Sequence, residues 1–169
     1  MNLLTIHRHG ERRAVLAADV LDRPCDLQDF KTVLETALAR FRPEKDLYVF
    51  SNLSMDTLDY AGPAVNEGSK GILLGVGETV RDLPRQFAGE LPSGCDRAEV
   101  YCGGCLVVSG PSFVAEPGAP ARIASAPSFR DWPLVVLVDD ARQANRSDAR
   151  FLWTAFTRME PAADLHGAR

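Results

Sequence analysis

The chain has 169 residues, 46% of them hydrophobic and 25% charged, with a net charge of −4 and a pI of about 5.4. That is apolar content for the core of one globular domain, and no basic face is implied that would draw nucleic acid. No apolar run approaches the ~18 residues that a membrane-spanning helix needs, so no membrane partner is expected either.

The opening stretch MNLLTIHRHGERR has its apolar and charged residues in the wrong order for a secretory signal, and a cytoplasmic location is expected. In that compartment Cys25, Cys95, Cys102 and Cys105 are expected to be thiols. LLTIH and AVLAADV read as two strands of a hairpin around the polar HGERR. Phe30, Val33, Leu34, Ala37, Leu38 and Phe41 then fall on one face of a helix, which Asp26 or Asp29 can cap and Pro43 ends. LYVF (47–50) reads as a short buried strand and ILLGV (72–76) as another. The polar 51–71 between them reads as a long loop.

Residues 77–97 read as irregular. AEVYC and CLVV form a hairpin across Gly103-Gly104. Residues 109–120 are loop, and RIASAPSF is a short helix broken at Pro127. LVVLV (134–138) is a continuous apolar run, the mark of a central strand covered on both faces. A last helix spans about 147–159, with Leu152, Trp153 and Phe156 as its core face and Trp132 at an edge. Residues 21–47 align without gaps on 139–165, with identities at Asp22/Asp140, Leu34/Leu152, Thr36/Thr154, Ala37/Ala155, Arg40/Arg158, Pro43/Pro161, Asp46/Asp164 and Leu47/Leu165. Two explanations stay open: shared helix-capping grammar, or two related units, 13–76 and 105–169, inside one domain spanning 1–169.

Several short constellations invite chemistry. RHGE (8–11) follows an apolar strand and resembles the phosphohistidine motif of histidine phosphatases, with His9 as nucleophile. That mechanism needs a second His, and only His7 and His166, near the terminus, are on offer. A polar turn is the plainer reading. Cys102-Gly-Gly-Cys105, with Cys95 nearby, has zinc-knuckle spacing without a second pair, so these three are weak metal candidates beside a reading as inward-facing apolar side chains. Asp139-Asp140 end the central strand, where open α/β sheets place ligands, and loop capping is the plainer explanation. The densest polar group is the 54–71 loop. Asp56, Thr57, Asp59, Asn66, Ser69 and Lys70 are its candidates for an interface or the edge of an active site.

LVVLVDD (134–140), FLWTAFTR (151–158) and EPAADLHG (160–167) resemble the carboxy-terminal domain of the UbiD-type decarboxylases. CLVVSGP, PARIASAPSFRDW, MDTLD (55–59) and GSKG (68–71) add to the likeness. The resemblance implies an α/β fold: a single domain with a mixed, mostly buried sheet and flanking helices. The family's flavin-binding region and its Glu–Arg–Glu constellation lie ahead of this domain, and no residue here matches them. The resemblance therefore implies no catalytic residue and no cofactor on this chain. It implies an accessory, small subunit of a decarboxylase or carboxylase for aromatic or unsaturated acids. Prenylated FMN would sit on a larger UbiD-like partner, with self-association as a further option. A stand-alone binding or scaffold protein derived from that domain is the alternative.

Overall fold

A computed structural model of the chain describes residues 4–7, 18–22, 24–55 and 63–167. Its strands lie in two sheets. The larger has the order β5-β6-β7-β1-β8, built from β1 (Leu4–His7), β5 (Arg97–Cys102), β6 (Cys105–Ser109), β7 (Leu134–Val138) and β8 (Leu165–Gly167). Strands β6, β7 and β1 run parallel, and β5 and β8 are antiparallel edges. The smaller has the order β2-β4-β3, from β2 (Ala18–Leu21), β3 (Leu47–Ser54) and β4 (Glu67–Gly75). The α/β class and flanking helices expected from the sequence hold, with the β structure divided between two sheets.

The division overturns the amino-terminal hairpin. β1 pairs with β7 and β8, while β2 pairs in parallel with β4 in the other sheet. The strand periodicity was legible, but a pattern of two adjacent apolar runs does not say which sheet each joins.

β6 and β7 are buried at every position because both faces of their sheet are covered. On one face, Leu106, Val108, Val135 and Leu137 pack under α3 (Ala119–Ala124) and the 3-10 turn Pro127–Phe129. Trp132 joins them, buried rather than at an edge. On the other face, Cys105, Val107, Val136 and Val138 meet Leu34 and Leu38 of α1 (Phe30–Arg40) and Phe151 and Ala155 of α5 (Asp148–Phe156). The buried face of α5 is thus Phe151 and Ala155, while Trp153 is 48% exposed and Leu152 half-buried, contrary to the expected stripe. Phe151 stacks on Tyr101 at 3.7 Å between ring centres, and Phe30 reaches Tyr101, Phe151 and Phe156.

α1 has the period and cap that its sequence demands. The Asp29 carboxylate accepts from Thr32 N, which together with the Thr32 hydroxyl holds its carboxyl below the usual range. Leu34 and Leu38 face the larger sheet, whereas Ala37 and Phe41 pack on Leu73 of β4. The smaller sheet comes so close that a Cβ on Gly75 would lie 2.4 Å from Ala37 Cα. The irregular 76–96 segment runs beside the helix. Arg81 donates to the Leu38 and Phe41 carbonyls, and Arg85 forms a two-pronged ion pair with Glu35 at 2.7 and 2.8 Å. Glu35 also accepts from Gly103 N at the β5–β6 turn, where Gly104 has φ +80°.

The echo between 21–47 and 139–165 has a structural counterpart. Each copy runs from strand to capped helix, then through a single helical turn opened by Pro, into a second strand. The turns are α2 (Pro43–Asp46) and, after α4 (Ala141–Ala144) and α5, α6 (Pro161–Asp164). The Asp46 carboxylate accepts from Arg42 N and that of Asp164 from Glu160 N, each at 2.7 Å. The strand arrangements match too: β2-β4-β3 and β7-β1-β8 each have a parallel pair followed by an antiparallel one.

Two outcomes follow from the α1 contacts. Gly75→Ala is expected to lower stability by ~2 kcal/mol or more in urea unfolding, because backbone must move. Gly118→Ala, where a Cβ meets nothing within 4 Å, is expected to change it by less than ~0.5 kcal/mol. The hydrogen bond from Arg85 holds the Glu35 carboxyl below its ordinary value in the fold. A depressed folded pKa stabilises above the unfolded carboxylate range, and that contribution disappears as pH falls through the folded value. The stability gap between the wild type and Glu35→Gln should therefore be about 1–2 kcal/mol at neutral pH and close as the solution is acidified below about pH 4.

Candidate functional site

β3 and β4 are longer than their apolar runs suggest. β3 continues to Ser54 and β4 begins at Glu67, so 51–54 and 67–71 are strand rather than loop. β3 is an edge strand, with Tyr48 46% and Phe50 47% exposed, rather than a buried one. The register shifts between Phe50 and Leu53, where Asn52 takes φ 56°. Across the ladder, Asn66 takes φ 64°, and its carbonyl accepts from Met55 N at 2.9 Å. Asparagine tolerates this left-handed conformation better than other residues with a side chain, so both turns are built of the residue type they need.

The far end of this hairpin meets α6. The Ser69 hydroxyl, 1% exposed, accepts from Ala162 N at 2.8 Å. A Cβ on Gly71 would touch Pro161 and Leu165, and one on Gly68 would come within 2.7 Å of Met55 Cγ. Small residues on β4 thus let the turn lie flat on the sheet. Between the two lies a cavity of about 620 Å³. Ser51, Asn52, Leu53 and Ser54 form one wall, Pro63 and Asn66–Gly68 a second, and Glu160, Ala162 and Ala163 a third.

Glu160 is the unusual member. It is only 7% exposed, and among the described residues no hydrogen bond or ion pair reaches its carboxylate. Its backbone is fixed: its N–H donates to Asp164 and its carbonyl accepts from Ala163 N and Asp164 N. Asp164, itself buried, therefore positions Glu160 against the cavity.

Of the sequence candidates, Asn66 lines this cavity. Ser69 stands beside it as the tether of α6, and Lys70 is exposed and not part of the lining. Asp56, Thr57 and Asp59 lie outside the described residues, as do His9 and the rest of RHGE. His166 sits in β8 opposite Thr5 rather than on a loose end, and burial pulls its pKa down. The cysteines do not converge. Cys102 and Cys105 face each other in the core on the α1 side of the large sheet, and Cys95 packs against the opposite face. Burial pushes the Cys105 thiol well up and that of Cys95 up as well. Among the described residues, no group of three His, Cys, Asp or Glu gathers as a metal site needs. Asp140 caps α4 by accepting from Gln143 N, and Asp139 lies 4.0 Å from Arg158. Both aspartates are engaged in the framework of the turn.

Glu160, Asn52 and Ser51 were not singled out from sequence. Glu160 belongs to the EPAADLHG block, and its signal was the Pro that follows it. A Glu just before a single helical turn reads as an exposed helix start unless a distant hairpin folds over it.

In comparison with known proteins, residues 12–75 match the family model described as 3-octaprenyl-4-hydroxybenzoate carboxy-lyase C-terminal domain. A protein of Chlamydia pneumoniae that is named as one of the subunits of 4-hydroxybenzoate decarboxylase is 42% identical over 147 residues, which is 87% of this chain. Uncharacterized proteins of Chlamydia trachomatis and Chlamydia muridarum are 42% identical over the same length. The chain spans 25% of the length of each of these relatives. No solved structure matches it significantly. Among the described residues no helix is long and apolar enough to cross a membrane.

The two Asp-to-backbone closures predict unequal costs. Asp164→Ala leaves the buried Glu160 N–H without its acceptor and is expected to destabilise by about 1–3 kcal/mol. Asp46→Ala frees the N–H of exposed Arg42, which water can satisfy, and should cost under ~1 kcal/mol. Urea titrations of the two variants side by side check the difference.

Proposed function

We propose that the chain is an accessory part of a UbiD-type decarboxylase or carboxylase acting on an aromatic or unsaturated carboxylic acid, a reading supported by the match of residues 12–75 to the carboxy-lyase C-terminal domain. The observation that carries this reading is the 42% identity to a relative named as part of a decarboxylase, sustained over 87% of the chain. In the proposal the flavin and the catalytic residues sit on a longer UbiD-like partner, and this chain contributes assembly and shape. Prenylated FMN is the cofactor the family implies, and when bound it would supply an electron sink for the pair left on the substrate carbon as CO2 departs.

Among the described residues, the lining of the cavity does not fit that cofactor or an acid substrate. The cavity beside Glu160 has two carboxylates, Glu160 and Glu67, in its lining and no Lys, Arg or His to receive a phosphate or a carboxylate. A second hollow, of about 630 Å³, includes Arg122, but its guanidinium is held by Glu116 and the Ser93 carbonyl. What these residues do is hold a hairpin and a helical turn rigid, at a surface where Tyr48, Phe50 and Val65 are exposed.

The test is reconstitution. The tagged chain, purified from cells that make it natively, is expected to bring a longer UbiD-like polypeptide with it. Release of CO2 from 4-hydroxybenzoate by that polypeptide should rise on the order of tenfold or more when the chain is added back. A chain that elutes alone and leaves CO2 release unchanged overturns the proposal.

A further inference from the structure

The cavity between the β3–β4 hairpin and α6 combines three features. Its lining offers oxygen acceptors on Ser51, Asn52, Ser54 and Asn66 with the carboxylates of Glu67 and Glu160, and it contains no cationic side chain. One of those carboxylates, Glu160, is more than nine-tenths buried with no hydrogen bond or ion pair among the described residues. The remaining wall is apolar, from Leu53, Pro63 and Ala163. A desolvated carboxylate without a donor is costly, and a group that carries positive charge or several N–H donors relieves it. Water can also donate to it, so the occupant of this space competes with water.

We propose that this cavity is a receptor for a guanidinium or ammonium group on a short apolar stem, with Glu160 as its counter-charge. The planar, multi-donor guanidinium suits it best. It can pair with Glu160 and still donate to the asparagine and serine oxygens, while the stem lies on Leu53 and Pro63. A hard metal ion suits it less, because among the described residues no three His, Cys, Asp or Glu converge. The same chemistry can come from a basic side chain of a partner polypeptide or from a diffusible amine. Receipt of a cation here is independent of decarboxylation, so either can fail without the other.

Titration of the full ¹⁵N-labelled chain tests it, with agmatine, the blocked tripeptide acetyl-Gly-Arg-Gly-amide, magnesium chloride and 4-hydroxybenzoate as probes at constant ionic strength. Saturable shifts of the amides of 51–54, 66–68 and 160–163 are expected with agmatine or the tripeptide. Glu160→Gln should weaken them at least ~10-fold, as loss of a charge-assisted hydrogen bond does. Ala163→Lys supplies an ammonium from the cavity wall itself and should abolish the response, which keeps the test decisive if Glu160→Gln fails to fold. Tripeptide binding equal to or tighter than agmatine marks a partner's side chain as the source, and agmatine binding without the tripeptide marks a free amine. The proposal is overturned if neither cation shifts these amides, if Glu160→Gln folds and binds as the wild type does, or if magnesium or 4-hydroxybenzoate binds there more tightly than both.

Discussion

The fold depends on one helix being buried on two sides. Leu34 and Leu38 of α1 enter the core of the five-stranded sheet, and Ala37 and Phe41 enter that of the three-stranded one. A helix can serve two sheets only if its apolar stripe is wide and one sheet comes very near. The six apolar positions supply the first condition, and Gly75 against Ala37 supplies the second. Arg81 on the terminal carbonyls of α1 and Arg85 on Glu35 then strap the irregular 76–96 segment along the helix. With α1 fixed, the smaller sheet extends past it, and the far half of β4 reaches α6 through Ser69 and Gly71. The cavity forms in that second contact.

The two Pro-opened turns show how one local device serves different ends. Both close by an Asp carboxylate on the N–H four residues earlier, the bond that a short turn without a side-chain N-cap otherwise lacks. The position before the Pro is Arg42 in one and Glu160 in the other. Arg42 is exposed, as a charge beside a surface turn should be, while Glu160 is buried under the β3–β4 hairpin. We propose, with the matching strand order as support, that the two stretches are related units. On that view the unpaired carboxylate is a departure at one position of a repeated frame.

What could be read from sequence was whatever rests on short-range periodicity. α1, the β5–β6 hairpin at Gly103-Gly104 and the buried β7 each announce themselves within a dozen residues, and the structure has them where the pattern puts them. β3 and β4 were underestimated because SNLS and EGSK are polar. SNLS lies on an exposed edge strand, whereas in EGSK the buried Ser69 accepts from Ala162 N and Gly68 lies against Met55 with no room for a side chain. The site was less legible still. Asn66 was within reach because dense polar residues between two strands mark a special segment. Glu160 was not, because its burial is created by residues far away in the chain: Ala162 and its partner Ser69 are 93 positions apart.

The charge of the cavity bears on what kind of group this face can receive. A wall that recognised an acid would present a free cation. The basic residues that approach the core here are instead engaged by the framework: Arg40 by the Thr36 and Gly77 carbonyls, Arg81 by the end of α1, Arg85 by Glu35, and Arg122 by Glu116. The one desolvated charge left without a partner among the described residues that line the cavity is negative. Electrostatic complementarity fixes register and excludes wrong partners more than it adds raw affinity. A buried acceptor on a rigid turn, held by Asp164 and Ser69, is suited to that role: it makes this face selective for a positive group.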